Sequence, residues 1–230
     1  MTRGIFIAGN ESALGRAIEA ETVNRVEQFA AAIIPNRLSS MHASVLAANT
    51  APKNPPLESD KRHLIDWNPS SPISARTAAL AAENRLGQID EAILVCSPPS
   101  IRSSASDIPF SDVEIMINDN IKGWFFIVKE LTAIFTARRR GSLVLVYPDI
   151  ASPGKDDAAD VLGPSALASF RALTHGLLAA AHSEPYFTTG FSCSDSGNEA
   201  AFAAFMYKSL DELSPRSNGK MHKFGKFKFF

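Results

Sequence analysis

The feature that most constrains this chain is a series of strand-length runs that are apolar at nearly every residue: GIFIAG (4–9), AAAII (30–34), EAILVCS (91–97) and SLVLVY (142–147). A strand with one wet face alternates apolar and polar side chains. A strand buried on both faces does not, and burial on both faces is the property of a parallel sheet covered by helices. Helical patterns separate the runs: ALGRAIEAETVNRVEQF, SARTAALAAENRLG (74–87), DVEIMINDNIKGWFFIVKELTAIFTARRR, PSALASFRALTHGLLAAAH and NEAAFAAFMYKSLDEL. Shorter strand patterns occur at HLIDW (63–67) and YFTTGFS (186–192), and KFGKFKFF (223–230) has the alternation of a last, half-buried strand. This alternation predicts an α/β protein, one domain over residues 1–230. Its core is a single doubly wound parallel sheet of about seven strands, with helices on both faces and right-handed crossovers.

Composition narrows the function classes. A chain of 230 residues suffices for one sizeable core, and 45% hydrophobic with 20% charged residues is an ordinary globular balance. A formal net charge of −1 supplies no overall field for nucleic acid or a membrane surface. The cysteines, Cys96 and Cys193, have no motif spacing, which points to thiols in a reducing cytoplasm. MTRGIFIAGN is too short an apolar start for a signal peptide, and no run is long enough to span a bilayer. The expectation is a soluble cytoplasmic protein without nucleic-acid or membrane partners. Between the second and third strands lie a brief helix candidate, SSMHASVLAANTA (39–51), and a proline-rich surface excursion, PKNPPLESDKR (52–62). From Arg216 onward the chain carries Lys220, Lys223, Lys226 and Lys228 and no acid. Lysines guarding a sheet edge account for this pattern; an anion-binding or membrane-surface tail is the other reading.

The first strand meets the first helix through GNESALG (9–15). Glycines here permit a sharp turn, and they also let a backbone approach a pyrophosphate at a helix N-terminus. The position and spacing resemble the short-chain dehydrogenase/reductase family, whose fingerprint is G-x-x-x-G-x-G. Gly9 and Gly15 match the outer glycines, and Ala13 replaces the middle one. The resemblance implies a Rossmann-type fold and candidate cofactor contacts at Gly9, Leu14, Gly15, Asn36, Arg37 and Asp66. The family usually has an acid after the second strand; here Asn36 and Arg37 stand there. Such an arginine, if a dinucleotide binds, favours NADP, because a guanidinium pairs with the 2′-phosphate; a solvated loop arginine is the simpler reading. The cofactor expectation is NADP or none.

Further along, the resemblance continues while the chemistry departs. LGQIDEAILVCSPP is similar to the stretch before the family's N-N-A-G turn, but Cys96, Ser97, Pro98 and Pro99 replace the turn itself, and prolines remove amide donors. NDNIKGWFFIVKEL resembles the central helix, with Asn120 on its asparagine and Gly123 after it. In active members that residue helps hold a water in a proton relay; an amide that satisfies a helix kink is the alternative. Pro148 falls on the catalytic serine, with Ser152 as a second candidate. FRALTHGLL is similar to the stretch after Y-x-x-x-K, and counting back sets Gly163 on the tyrosine and Leu167 on the lysine. FSCS (191–194) replaces the family's P-G. Neither Tyr147, Tyr186 nor Tyr207 has a lysine four residues later. Glycine and leucine supply neither a proton nor the ammonium that acidifies a tyrosine.

Other constellations are missing. The histidines (42, 63, 175, 182 and 222) lack metal-ligand clustering, and His175 and His182 read as a polar stripe on one helix. Arg138, Arg139 and Arg140 close the long helix ahead of a Gly141 cap, where cations complement the dipole. Three functions follow from the resemblance. The first is a non-catalytic subunit in a homo- or hetero-oligomer with an active paralogous dehydrogenase, as occurs within the family. The second is an NADP-dependent oxidoreductase with an atypical proton donor. The third is a dinucleotide-binding regulatory protein without turnover.

Overall fold

The computed structural model describes residues 3–25, 28–35, 61–149, 160–195 and 197–225. In chain order the elements are β1 (Arg3–Ala8), α1 (Ala13–Asn24), β2 (Gln28–Pro35), β3 (Arg62–Trp67), α2 (Pro72–Leu86), β4 (Glu91–Val95) and α3 (Phe110–Ile117). A π-helical turn (Asn118–Lys122) leads into α4 (Gly123–Arg138), followed by β5 (Ser142–Pro148), α5 (Leu162–Ala180), β6 (Phe187–Cys193), α6 (Glu199–Asp211) and β7 (Met221–Phe224). The strands form one seven-stranded sheet in the order β3-β2-β1-β4-β5-β6-β7, and every pairing is parallel. Strand order reverses between β1 and β4, where Ile5 pairs with Glu91 and Ala8 with Leu94.

The fully apolar runs are explained by two cores. Phe6, Leu94, Leu143, Leu145 and Tyr147 point to the face covered by α2, α4 and α5, where Trp124, Phe135 and Phe170 meet them. Ile5, Ile7, Ile93, Val95, Val144 and Val146 point to the face covered by α1 and α6, against Ile18, Phe202 and Met206. Successive residues of one strand thus serve opposite cores, so no position is left for a polar side chain. Burying each isoleucine or leucine fully is worth about 1.5–3 kcal/mol. On α2 the buried face is Ala75, Ala78, Ala79 and Ala82, small enough for the helix to lie close to its neighbours, and Glu83 pairs with Arg138 of α4.

Three local expectations change. The long central helix is interrupted by the π turn at Asn118–Lys122. Its C-cap is Arg139, in the left-handed region at φ 55°, rather than Gly141. Gly141, at φ +137°, immediately precedes β5; a Cβ there would stand 2.3 Å from the Phe135 ring, so the glycine admits that ring to the core. His182 lies in a 3-10 turn (Ala181–Ser183) beyond the end of α5, off the helix that carries His175. The helix candidate at 39–51 and the tail lysines Lys226 and Lys228 lie outside the described residues. Among the described residues no helix is long and apolar enough to cross a membrane.

The amino-terminal rim of the sheet holds a charged cluster. Glu91 is 0% exposed, and its carboxylate meets the Arg3 guanidinium at 3.1 Å. Arg3 also contacts Asp211 of α6, which takes Arg25 of α1 at 2.7 Å. Arg25 stacks over the Tyr207 ring at 4.7 Å. The Tyr207 hydroxyl donates to Thr22, whose own hydroxyl donates to the Ile18 carbonyl at 2.8 Å. Burial pushes the Glu91 carboxyl up to about 7 against the pull of Arg3, and Asp211 and Asp90 add to the rise. The folded chain therefore holds this proton more tightly than the unfolded chain, so the associated stability is lost as pH rises from about 4.5 to about 7. Between pH 5 and 8, urea unfolding should show that Glu91→Gln abolishes a decline on the order of 3 kcal/mol in the wild type. Parallel pH profiles for the two proteins would refute this role.

Candidate functional site

In an open parallel sheet the crevice lies beyond the carboxyl ends of the strands, at the reversal of strand order. Here that is the space above Ala8 and Val95, bounded by the β1–α1 turn, the β4–α3 loop, the π turn, the end of β5 and the start of α5.

The β1–α1 turn is dictated by two glycines. Gly9 has φ +87°, and a Cβ on it would lie 1.9 Å from the Val95 carbonyl oxygen. A Cβ on Gly15 would lie 2.0 Å from the Gly9 carbonyl oxygen, so α1 packs directly under the turn. Ser12 completes the cap: its hydroxyl donates to the Gly9 carbonyl and accepts from the Gly15 amide, each at 3.0 Å. Ala13 is the exposed first residue of α1, and the Leu14 side chain is buried in the core beneath it. Both glycines are thus required by contacts of the chain with itself.

Composition and motif reading missed the support below this turn. Asn10 is 5% exposed, and its Nδ2 donates to Glu19 at 3.4 Å. Glu19 accepts from Arg62 at 2.6 Å, a buried ion pair joining α1 to β3. A glutamate on the inward side of α1, four residues after Gly15, was the available signal. Asp66 is exposed on β3, the edge strand at this side. Asn36, Arg37 and Ser152 lie outside the described residues.

The other side of the crevice is built differently. Cys96 is buried and donates its amide to Val146 at 2.9 Å; burial pushes its thiol above the usual range, with Trp124 pulling the other way. Ser97, Pro98 and Pro99 continue from it at intermediate exposure. Asn120 is half-buried at the centre of the π turn, a rare helical form that recurs at functional sites. Gly123, just after it, lets the turn sit on Pro69 and Trp67, whose atoms would be 2.9 Å and 3.0 Å from a Cβ. Pro148 ends β5. Arg171 of α5 donates to the Pro148 carbonyl at 3.2 Å and to Asp149 at 3.0 Å, and its guanidinium lies 5.3 Å from the centre of the Tyr147 ring.

Gly163 is buried in the first turn of α5, and its amide donates to the Asp160 carboxylate at 3.0 Å. A Cβ on it would stand 2.8 Å from the second oxygen of Asp160 and 3.2 Å from the Pro99 carbonyl oxygen. Leu167, one turn later, packs against the apolar cluster that includes Tyr147 and Phe170. Proton donation at neutral pH needs a hydroxyl made more acidic than usual. Burial instead raises Tyr147, despite Arg171; it also raises Tyr186 and Tyr207. Among the described residues no His, Cys, Asp or Glu cluster could hold a metal ion.

Among the described residues, the groups on the β4–β6 side of the crevice do not fit a nicotinamide ring. The first half of the crevice keeps the glycine turn, whereas the second offers prolines in place of amides and a carboxylate beside Gly163. No protein-family model matches the sequence, and neither does any curated protein. Solved structures do match the fold. A short-chain dehydrogenase from Mycobacterium smegmatis is similar with a TM-score of 0.72 and 9% identity, over 99% of this chain and 93% of that one. Serine dehydrogenase from Escherichia coli gives 0.68 and 14%, over 96% of each chain. A short-chain dehydrogenase from Burkholderia cenocepacia, in complex with NADP, gives 0.64 and 14%, again over 96% of each. The chain has the fold of these oxidoreductases.

Gly9 can be compared with Gly87, which has φ +75° but nothing within 4 Å of a Cβ. Gly87→Ala should cost only the left-handed backbone penalty, about 1–2 kcal/mol. Gly9→Ala should cost at least about 3 kcal/mol in denaturant unfolding, because the Val95 carbonyl must also move. Equal costs would mean that the turn is not set by this contact.

Proposed function

We propose that this chain is a non-catalytic subunit of an NAD(P)-dependent oxidoreductase assembly, paired with an active paralogous dehydrogenase. The observation that carries this reading is the state of Gly163. The position that resembles the family's tyrosine has no side chain and turns against Asp160 and Pro99. The lysine-like position, Leu167, is committed to the apolar core, and burial makes each described tyrosine a poorer acid. Among the described residues, no tyrosine and lysine are therefore set up for proton transfer.

The outer faces of α4 and α5 support assembly. Ser165, Ala168, Ala172, Gly176 and Ala179 form an exposed line of small residues along α5. Ala133 and Ala137 do the same on α4, with Phe125 half exposed above them. Small residues let two helices approach closely, and an exposed aromatic ring gains by being covered. Both cysteines are free and buried, in keeping with a reducing cytoplasm.

Expressed by itself, the chain should reduce no carbonyl with NADPH or NADH. With a Y-x-x-x-K paralogue encoded beside it, it should co-purify as an active complex. Turnover by the isolated chain would overturn the proposal. Ala172→Arg should release the chain from that complex in light-scattering mass measurements while the circular dichroism is unchanged; an unaltered mass would remove this face from consideration. Asn120→Ala should leave the turnover of the complex unchanged, and a large loss with the assembly intact would return Asn120 to the chemistry.

A further inference from the structure

A doubly wound sheet provides two nucleoside sites, one on each side of the strand reversal. In this chain the β1–β3 half and the β4–β6 half have diverged to different degrees. The first still turns through Gly9 and lays the N-terminus of α1 beneath the crevice. The second is lined by the chain's own groups.

We infer that the chain closes its second nucleoside site from within: Asp160 and Pro99 occupy it, so any dinucleotide that enters the crevice is held by its adenosine half alone. Three features build the closure. The Asp160 carboxylate is anchored through one oxygen by the Gly163 amide at 3.0 Å. Its other oxygen and the Pro99 carbonyl oxygen stand 2.8 Å and 3.2 Å from where a Cβ at 163 would lie. Pro98 and Pro99 cannot donate amides to a ligand, and the Pro148 carbonyl beyond them is held by Arg171. A nicotinamide and its ribose, which need open space for a ring and a sugar, would meet the Asp160 carboxylate and the Pro99 carbonyl instead. A tyrosine placed at 163 would have to displace the Asp160 carboxylate, one oxygen of which would stand 2.8 Å from its Cβ.

This inference rests on the non-catalytic reading above, but the two fail separately. NADPH turnover would remove that reading, whereas the closure is tested by packing and by binding. In a helix, Gly→Ala ordinarily stabilises. Gly163→Ala should instead lower the melting temperature of the wild-type chain and raise it in an Asp160→Ala background, a difference of about 3 °C or more. Additive effects, or a gain in the wild type, would show that the carboxylate does not occupy the space. Calorimetric titration of the full chain with NADP, 2′,5′-ADP, NAD and ADP gives the consequence. Each dinucleotide should bind within about threefold of its adenosine half, and NADPH emission should keep its free wavelength. A gain of about tenfold from the nicotinamide half, or a blue shift of NADPH, would overturn the closure. If no nucleotide binds, the melting-temperature cycle still decides it.

Discussion

Burial of both sheet faces is the constraint on which the rest of this structure depends. Residues of β1, β4 and β5 alternate between two cores, and each core is sealed by helices. Polar groups are thereby expelled to the two rims of the sheet. At the amino-terminal rim Glu91 is nonetheless fully buried, and it tolerates its position because Arg3 faces it and because the surrounding apolar burial is so much larger. The carboxyl-terminal rim is left as the place where a ligand can meet the chain, and its loops decide what that ligand is.

The two halves of that rim are built differently. On the first half, Gly9 and Gly15 are required by backbone contacts, whether or not a phosphate ever arrives. Changing this turn would unsettle α1 and, through Asn10, Glu19 and Arg62, the edge of the sheet. On the second half, Gly163 leaves space for the capping carboxylate of Asp160, and Leu167 packs against the apolar core.

The π turn shows how one residue answers to two demands. Asn118–Lys122 widens the central helix where it passes Trp67 and Pro69, and Gly123 supplies the room for that crossing. Asn120 sits half-buried at its centre. The kink therefore has a packing reason independent of catalysis, and the same arrangement places an amide at the crevice.

Much of the architecture was legible in the residues themselves. Runs without polar positions specify a parallel sheet, because only burial on both faces suppresses the alternation; helical patterns between them specify the winding; GNESALG marks the first turn. The absence of Y-x-x-x-K was equally plain. What the chain could not reveal in one dimension is which groups fill the vacated space. Asp160 and Pro99 meet at Gly163 only because β4 and β5 lie side by side and α5 returns across their ends. The Asn10–Glu19–Arg62 support and the Glu91–Arg3 pair likewise join residues from separate elements. Local pattern determines an element because its period is set by the backbone; the content of a site depends on distances between elements, which exist only after the sheet has closed its two cores.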